Sequence, residues 1–489
     1  MMSRFSLVLT ASLSLILFSG SSIAQTPWSL QSCIDHAFTH NLQIKQSHLG
    51  TQSAEIGLQS AQGAFLPSFN ASASHGYNIG RAIDPFTNVF GTDVIQSNNF
   101  GLSSGLTLFN GFKNHINLRR ARIGLDIAAT SLEQTRNDLA LTISGAYLNI
   151  LFQEEFVKVA VLNLATTRRQ VERVAKLVEA GASPASDLLD VKAQEASDIA
   201  ELVGSENGRF LAKLNLAQLL QLTGHAASTF DIIAPEAGEM TVSPIPLTSS
   251  TAVEFALTSF PQIRNASLNV DDANLGLEIA KTSYLPRLYA SYNFGSGYSG
   301  NRTRTVGDPI TEMLELGETE DGTTVYYAGV DADFNLVIPY VNTYDRQTIP
   351  FMDQLTENIN QSVFFSLSIP VFNNFSTKNS VEYAKVSVLR SEYNQQAASQ
   401  ILRTSIESAW ADAVAAQKTL AAQEAALNAA ELAFANTELK FEAGTISALE
   451  YADARTRLDN ARIGALRTRY DLVFKSKILD FYQGKSISL

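Results

Sequence analysis

Two pairs of carboxylates are the side chains best placed to do chemistry in this sequence. Asp187 and Asp190 stand three residues apart, as do Glu450 and Asp453. Each pair follows a glycine turn, Gly181-Ala182-Ser183-Pro184 in one case and Gly444-Thr445-Ile446-Ser447 in the other. On a helix that spacing puts both carboxylates of a pair on one face. Such a face can attract cations and repel anions, or it can simply stabilise the positive end of a helix dipole; both uses fit here. Glycine is the expected stop of a preceding helix. Ser183 before Pro184 reads as an N-cap with proline at the first helical position, and Ser447 with Glu450 three residues on reads as a capping box.

Other reactive residue types form no convincing constellation. His36, His40 and His48 share one expected helix face, but no HExxH and no second carboxylate-rich cluster accompanies them, so they read as ordinary helix histidines. Gly101 and Gly105 are not followed by the Gly-Lys-Ser/Thr of a phosphate loop. Asp308, Glu312, Glu315, Glu318, Glu320 and Asp321 crowd one stretch without EF-hand spacing, which suits a solvated loop outside the cell better than a calcium site. No Ser/His/Asp order stands out. The residues therefore point to no enzyme, no cofactor and no resident metal.

Composition narrows the class further. The 489 residues carry a formal net charge of −12, which argues against nucleic acid as a partner. Cys33 is the only cysteine, so neither an internal disulfide framework nor a CxxC site is available; it reads as a small buried apolar residue. At the N-terminus, Arg4, an apolar core from Leu7 to Phe18, and Ser22-Ile23-Ala24 make a secretory signal, residues 1–24, with cleavage expected after Ala24 to leave Gln25 first. Beyond it there is no run of about 18 apolar residues, so a membrane crossing would have to use a β-barrel.

The elements that position the carboxylates belong to a duplicated unit. Ser60-Ala61-Gln62-Gly63-Ala64-Phe65-Leu66-Pro67 returns as Ile279-Ala280-Lys281-Thr282-Ser283-Tyr284-Leu285-Pro286. Leu108-Phe109-Asn110-Gly111-Phe112 returns as Val371-Phe372-Asn373-Asn374-Phe375, Tyr147 faces Trp410, and Glu179-Ala180-Gly181 returns as Glu442-Ala443-Gly444. The first repeat spans 25–224 and the second 251–489. The polar, proline-bearing stretch 225–250 (Pro235, Pro244, Pro246) links them. The second copy is longer between its anchors, which places an inserted extracellular loop at about 296–361.

Each copy reads as helix, strand, loop, strand, long helix, sharp turn, helix. The first helices, about 30–64 and 252–283, end where Pro67 and Pro286 break helix into strand. The period then changes to two over strands at about 68–79, 99–109, 287–295 and 362–372, apolar on one face and small or polar on the other. That suits an outer-membrane barrel with a wet lumen, with a soluble sandwich edge as the alternative. Pro370 marks a bulge or a strand end. Phe112–Ala180 and Phe375–Ala443 contain no proline and read as helices of roughly 100 Å. The returning helices Ser186–Leu222 and Leu449–Tyr482 are their coiled-coil partners. Four strands cannot close a barrel, so several chains must pool theirs.

Signal peptide, two copies, Leu-Pro before each strand pair, and long helices with a glycine turn together resemble the TolC family of outer-membrane efflux proteins. The opening segment Trp28-Ser29-Leu30-Gln31-Ser32-Cys33-Ile34-Asp35-His36-Ala37 and Asn41-Leu42-Gln43-Ile44 resemble that family's first helix. The resemblance implies an α+β membrane protein: a homotrimer with a twelve-stranded β-barrel in the outer membrane, continuous with a twelve-helix coiled-coil barrel in the periplasm. It implies the exit duct of a tripartite efflux or type I secretion system, working with a periplasmic adaptor (membrane fusion) protein and an inner-membrane pump. Asp187, Asp190, Glu450 and Asp453 would then ring the periplasmic constriction. The turns at Gly181, Ser183, Pro184, Gly444, Thr445, Ile446 and Ser447 would form the tip, with Ile446 and Leu449 open to an adaptor. One departure is plain: Phe441 and Ile446 stand where family members use tyrosine and arginine to hold the tip shut, so any latch here must differ. A periplasmic adaptor or coiled-coil scaffold also has long helical hairpins, but the four alternating strands and the whole-length duplication speak against it. A secreted enzyme or adhesin would need a catalytic constellation or a compact core region, and neither is visible.

Overall fold

The computed structural model describes residues 27–485, apart from 84–87, 89, 92–93, 234–241, 243, 314, 319–323, 327, 331–332, 334–335 and 338–339. The signal sequence and its cleavage point, Pro235, Glu320 and Asp321 lie outside the described residues.

The first copy runs α1 (Leu30–His40), α2 (Leu42–Gly63), β1 (Ser68–Asn78), the short pair β2 (Ala82–Ile83) and β3 (Phe90–Gly91), β4 (Ile95–Phe109), α3 (Lys113–Glu179) and α4 (Ala185–Leu219). After α5 (His225–Ser228) come α6 (Ser250–Ser259), α7 (Pro261–Thr282) and β5 (Arg287–Ser299). An inserted stretch follows, from β6 (Thr303–Met313) through β7 (Glu315–Glu318), β8 (Thr324–Tyr326), β9 (Gly329–Val330) and β10 (Leu336–Val337) to β11 (Tyr340–Thr348) and α8 (Phe351–Glu357). The chain closes with β12 (Asn360–Ser368), α9 (Ser376–Glu442) and α10 (Ala448–Tyr482). α3 and α9 are each 67 residues long, about 100 Å at the rise of an α-helix.

Several boundaries differ from the sequence expectation. The helix expected over 30–64 breaks at Asn41, whose Oδ1 accepts from Gln43 N at 2.8 Å and whose Nδ2 donates to Leu219 O at 2.9 Å. A side chain that bonds the backbone locally competes with the helix ladder. The helix expected over 252–283 breaks at Phe260, which precedes Pro261 and takes an extended backbone (ψ 137°). The strand expected over 362–372 stops at Ser368, two residues before Pro370, while the one expected over 287–295 continues to Ser299 and that over 99–109 begins at Ile95. The segment 296–361 is not a plain loop: β6 and β11 pair antiparallel from Thr303↔Thr348 to Met313↔Tyr340, and α8 follows.

The chain divides into two units. One comprises residues up to Ser53 with Asp126–Val270 and Ser391–Leu489; the other comprises Ala54–Leu125 and Asp271–Arg390.

In the helical unit the core gathers Leu30, Cys33, Ile34 and Ala37 of α1 with Ile143, Tyr147, Ile150 and Leu151 of α3 and Leu216, Ala217 and Leu220 around the end of α4. Buried positions recur every heptad: Ile143, Ile150, Val157 and Leu164 on α3, Val191, Asp198, Ser205 and Ala212 on α4, and Tyr451, Leu458, Ala465, Leu472 and Leu479 on α10. That period is the signature of coiled-coil seams. The aligned pair Tyr147 and Trp410 act alike. The Tyr147 hydroxyl donates to Ile233 O at 2.6 Å and Trp410 Nε1 donates to Pro246 O at 2.9 Å, so each long helix holds one end of the segment that joins the copies.

The other unit is built on one antiparallel sheet in the order β1-β4-β5-β12. Residues directly opposite one another share a face. The register therefore puts Phe69, Ala71 and Tyr77 of β1, Phe100, Leu102 and Leu106 of β4, Leu288, Ala290 and Phe294 of β5, and Val363, Phe365 and Leu367 of β12 on one apolar face. Asn70, Ser72, Ser103, Gly105, Ser291, Asn293, Ser362 and Ser366 occupy the other. A Cβ on Gly105 would lie 1.8 Å from the Tyr289 hydroxyl, so the small residue there makes room for the tyrosine ring.

Each strand-to-long-helix turn uses the left-handed backbone twice, at Gly111 and Phe112 (φ 67° and 66°) and at Asn374 and Phe375 (φ 53° and 63°). Gly111 has a second reason to be glycine: its Cβ would meet Leu285 Cβ at 2.8 Å and Thr282 O at 3.1 Å.

Candidate functional site: the hairpin tips and the clamp beside them

Both hairpins turn on the same geometry. Past the end of α3, Gly181 N donates to Val178 O at 3.0 Å and Ala182 N to Leu177 O at 2.8 Å; past α9, Gly444 N donates to Phe441 O at 3.1 Å and Thr445 N to Lys440 O at 2.9 Å. These bonds close the last helical carbonyls and require a left-handed residue, supplied by Gly181 (φ 73°) and Gly444 (φ 70°). The entry to α10 is capped by Ser447, whose Oγ accepts from Glu450 N at 3.2 Å. The entry to α4 differs from expectation. Pro184 holds the cap position with an extended backbone, and Ser183 makes no cap bond; its Oγ donates to Asp187 Oδ2 at 2.6 Å. Proline has already fixed the extended entry, which leaves the serine free for the carboxylate.

The four carboxylates are unequal. Asp187 is half-buried and engaged by Ser183, while Asp190, Glu450 and Asp453 are exposed. Asp190 lines a small cleft with Thr167, Gln170, Val191, Gln194, Tyr451, Ala452 and Arg455. Among the described residues, no group of three or more His, Cys, Asp or Glu is arranged to hold a metal ion. Ile446 is half-buried and Thr445 exposed.

Immediately beyond the tip, α10 is tied to the first hairpin by residues that the sequence reading passed over. Arg455 Nη2 lies 3.2 Å from Asp198 Oδ2, with both side chains 5% exposed. The same guanidinium donates to Thr167 Oγ1 and to Asn163 O on α3. Thr167 Oγ1 donates in turn to Asp198, whose other oxygen accepts from Gln194 Nε2 at 2.8 Å. Asp459, one turn on from Arg455, completes the group at 3.6 Å. Burial holds the Asp459 carboxyl above its ordinary range despite Arg455 and Arg462 nearby, and burial with the negative charges of Asp459 and Asp198 does the same to Glu201.

Two further contacts lie closer to the turn. Tyr451 is buried with its ring stacked on Phe441 (centroids 4.7 Å apart) and its hydroxyl accepts from Gln170 Nε2 at 3.3 Å; Arg173 Nη1 lies 3.2 Å from Glu442 Oε1. Phe441 and Ile446 indeed lack polar groups, yet a tyrosine and an arginine one turn apart on α10, Tyr451 and Arg455, cross to the first hairpin. Thr167, Asp198 and Arg455 are buried on helices whose seams are mostly apolar, and a buried charge demands a partner.

A family model described as outer membrane efflux protein matches residues 33–222 and 252–484, one segment in each copy. The chain belongs to the outer membrane efflux protein family. It is 22% identical over 423 residues to the outer membrane protein TolC of Vibrio cholerae, covering 85% of this chain and 81% of that one. It is 21% identical over 451 residues to the outer membrane efflux protein BepC of Brucella suis, covering 92% and 84%. The fold matches the crystal structure of the Campylobacter jejuni CmeC outer membrane channel with a TM-score of 0.72 at 15% identity, over 94% of this chain and 87% of that one. This efflux protein is accordingly a protein of the outer membrane. No helix among the described residues is long and apolar enough to cross a membrane; the apolar sheet face is the element suited to lipid.

Proposed function

We propose that this efflux protein is the exit duct of a tripartite efflux or type I secretion system, and that it works as a homotrimer. The observation that carries the reading is the sheet: four strands, an apolar face, and two outer strands, β1 and β12, each paired on one side only. In lipid such edges must be satisfied. Pairing β12 of one copy with β1 of the next satisfies them, and three copies pool twelve strands. Cargo passes through unchanged, in keeping with a family of channels. The periplasmic partners are an adaptor protein, met at the tip turns Gly181, Ser183, Pro184, Gly444, Thr445, Ile446 and Ser447, and an inner-membrane pump.

Within the duct, Asp190 and Asp453 are the carboxylates that ring the periplasmic constriction and favour cations. Their exposure supports that role. Asp187, held by Ser183, and Glu450, at the cap of α10, serve chiefly the helix starts. The test is single-channel conductance of the purified trimer in planar bilayers, with and without Asp190→Ala and Asp453→Ala. Cation selectivity that falls in the variants supports the ring. Unchanged selectivity returns both carboxylates to helix stabilisation, and the absence of any channel from folded trimer would overturn the duct itself.

A further inference from the structure

The inserted stretch ends in α8, a seven-residue helix that connects the β6/β11 hairpin to β12. β12 begins opposite Gly295, so it does not pair with the last residues of β5. α8 takes over that edge. Gln354, fully buried, accepts from Ser299 N at 2.9 Å and donates from Nε2 to Ser299 O at 3.0 Å and Ile349 O at 2.9 Å. Asn358 Nδ2 donates to Gly297 O at 2.7 Å, and Ser296 Oγ donates to Leu355 O. Arg302 pairs with Glu357 at 3.1 Å. The polar groups at this end of the sheet are thus engaged from within the chain.

Two apolar side chains of α8, Phe351 and Met352, are exposed. The Phe351 ring lies 5.3 Å from Tyr298 and 6.3 Å from Phe100. By the sheet register, both of those belong to the apolar face that carries Phe294, Val363 and Phe365. Met352 beside it is 68% exposed. The apolar side chains therefore continue from the strands onto the helix, at the end of the sheet opposite Phe109 and Ser368, where His75, Tyr77 and Tyr298 also lie. Aromatic residues gather at the rims of membrane barrels because their rings suit the boundary between acyl chains and headgroups.

We propose that α8 is a lipid-contacting rim of the barrel, with Phe351 and Met352 seated in the outer leaflet at the acyl-headgroup boundary. The proposal rests on the reading of the apolar sheet face as the membrane face. The occupant is lipid because Phe351 packs against Tyr298 and Phe100 of that face, whereas the hairpin beyond mixes apolar Val306 and Ile310 with exposed Arg304, Asp308, Asp345 and Arg346.

The test is spin labelling of the full-length trimer in liposomes, in a Cys33→Ala background, at three positions: Met352→Cys, Val363→Cys on the sheet face, and Asn342→Cys on the hairpin. Collision with oxygen, which concentrates in lipid, is compared with collision with a water-soluble nickel chelate. The expected result is an oxygen-to-nickel ratio at 352 close to that at 363 and several-fold above that at 342. A ratio at 352 equal to that at 342, with 363 lipid-exposed, would overturn the proposal and leave the channel reading intact. A water-exposed 363 would overturn both.

Discussion

Arg455 of α10 and Asp198 of α4 form an ion pair at 3.2 Å inside the helical unit, where each side chain is 5% exposed. They stand on different copies of the repeat, so one buried contact joins the two hairpins a short way from both tips. A buried pair adds little over an apolar one but is costly to break from one side, because the partner is left charged and unpaired.

Replacing one member should therefore cost far more than replacing both. Arg455→Ala or Asp198→Asn is expected to destabilise the helical unit by about 3–5 kcal/mol, and the double variant by less than the sum. Urea unfolding followed by circular dichroism measures this. Because the pair holds α10 against the first hairpin, the Arg455→Ala channel should also conduct more than wild type in bilayers. Equal conductance would confine the pair to stability.

The tip carboxylates should separate by function. Asp187→Ala removes the partner of Ser183 and a charge near the start of α4, at a cost of about 0.5–1 kcal/mol with little change in selectivity. Asp190→Asn and Asp453→Asn should leave the unfolding midpoint unchanged and lower cation selectivity, read from reversal potentials in a salt gradient.

Asp459 should make part of the stability depend on pH. Its carboxyl is held above the ordinary value of 3.8 mainly by burial, so the folded protein holds that proton more tightly than the unfolded chain. Its contribution is favourable to the folded state while the proton stays on, and it is lost as pH rises through the folded value. The difference in melting temperature between wild type and Asp459→Asn should therefore shift against wild type as pH is raised from about 4 toward neutrality. A difference independent of pH would show that the group titrates normally.

The two strand-to-helix turns offer a paired comparison. Gly111→Ala meets both a left-handed backbone and the Leu285 side chain at 2.8 Å, and should cost about 2–3 kcal/mol and lower the yield of folded trimer. Asn374→Gly, at the equivalent turn of the second copy, relaxes a positive φ of 53° and should be neutral or slightly stabilising. Thermal melting of the two variants side by side distinguishes a backbone requirement from general sensitivity of the region.

Much of this molecule could be read from local pattern. Leu-Pro at 67 and 286 ended helices because proline restricts its predecessor, alternation over 68–79 and 287–295 meant strand, and sixty-odd residues without proline before Gly181 and Gly444 meant long helices. Each of these signals acts over a few residues, so the chain carries it wherever it is placed. The breaks at Asn41 and Phe260 were missed because helix propensity on either side hid a side-chain bond to Leu219 and a single pre-proline residue. The role of Ser183 was misread because a cap and a bond to Asp187 use the same hydroxyl, and only the backbone angles of Pro184 decide between them.

The sequence by itself determined the order of elements, the repetition that runs through them, and the family. Those rest on repetition and periodicity, which are one-dimensional. Only the tertiary structure decided which polar side chains are buried together. Asp198 and Arg455 are far apart in the chain and become partners only when α4 and α10 pack on α3. Gln354 likewise gains its role only when the inserted segment folds back onto the open edge of β5. A buried charge or amide must find its partner in space, and its neighbours along the chain do not say where that partner is.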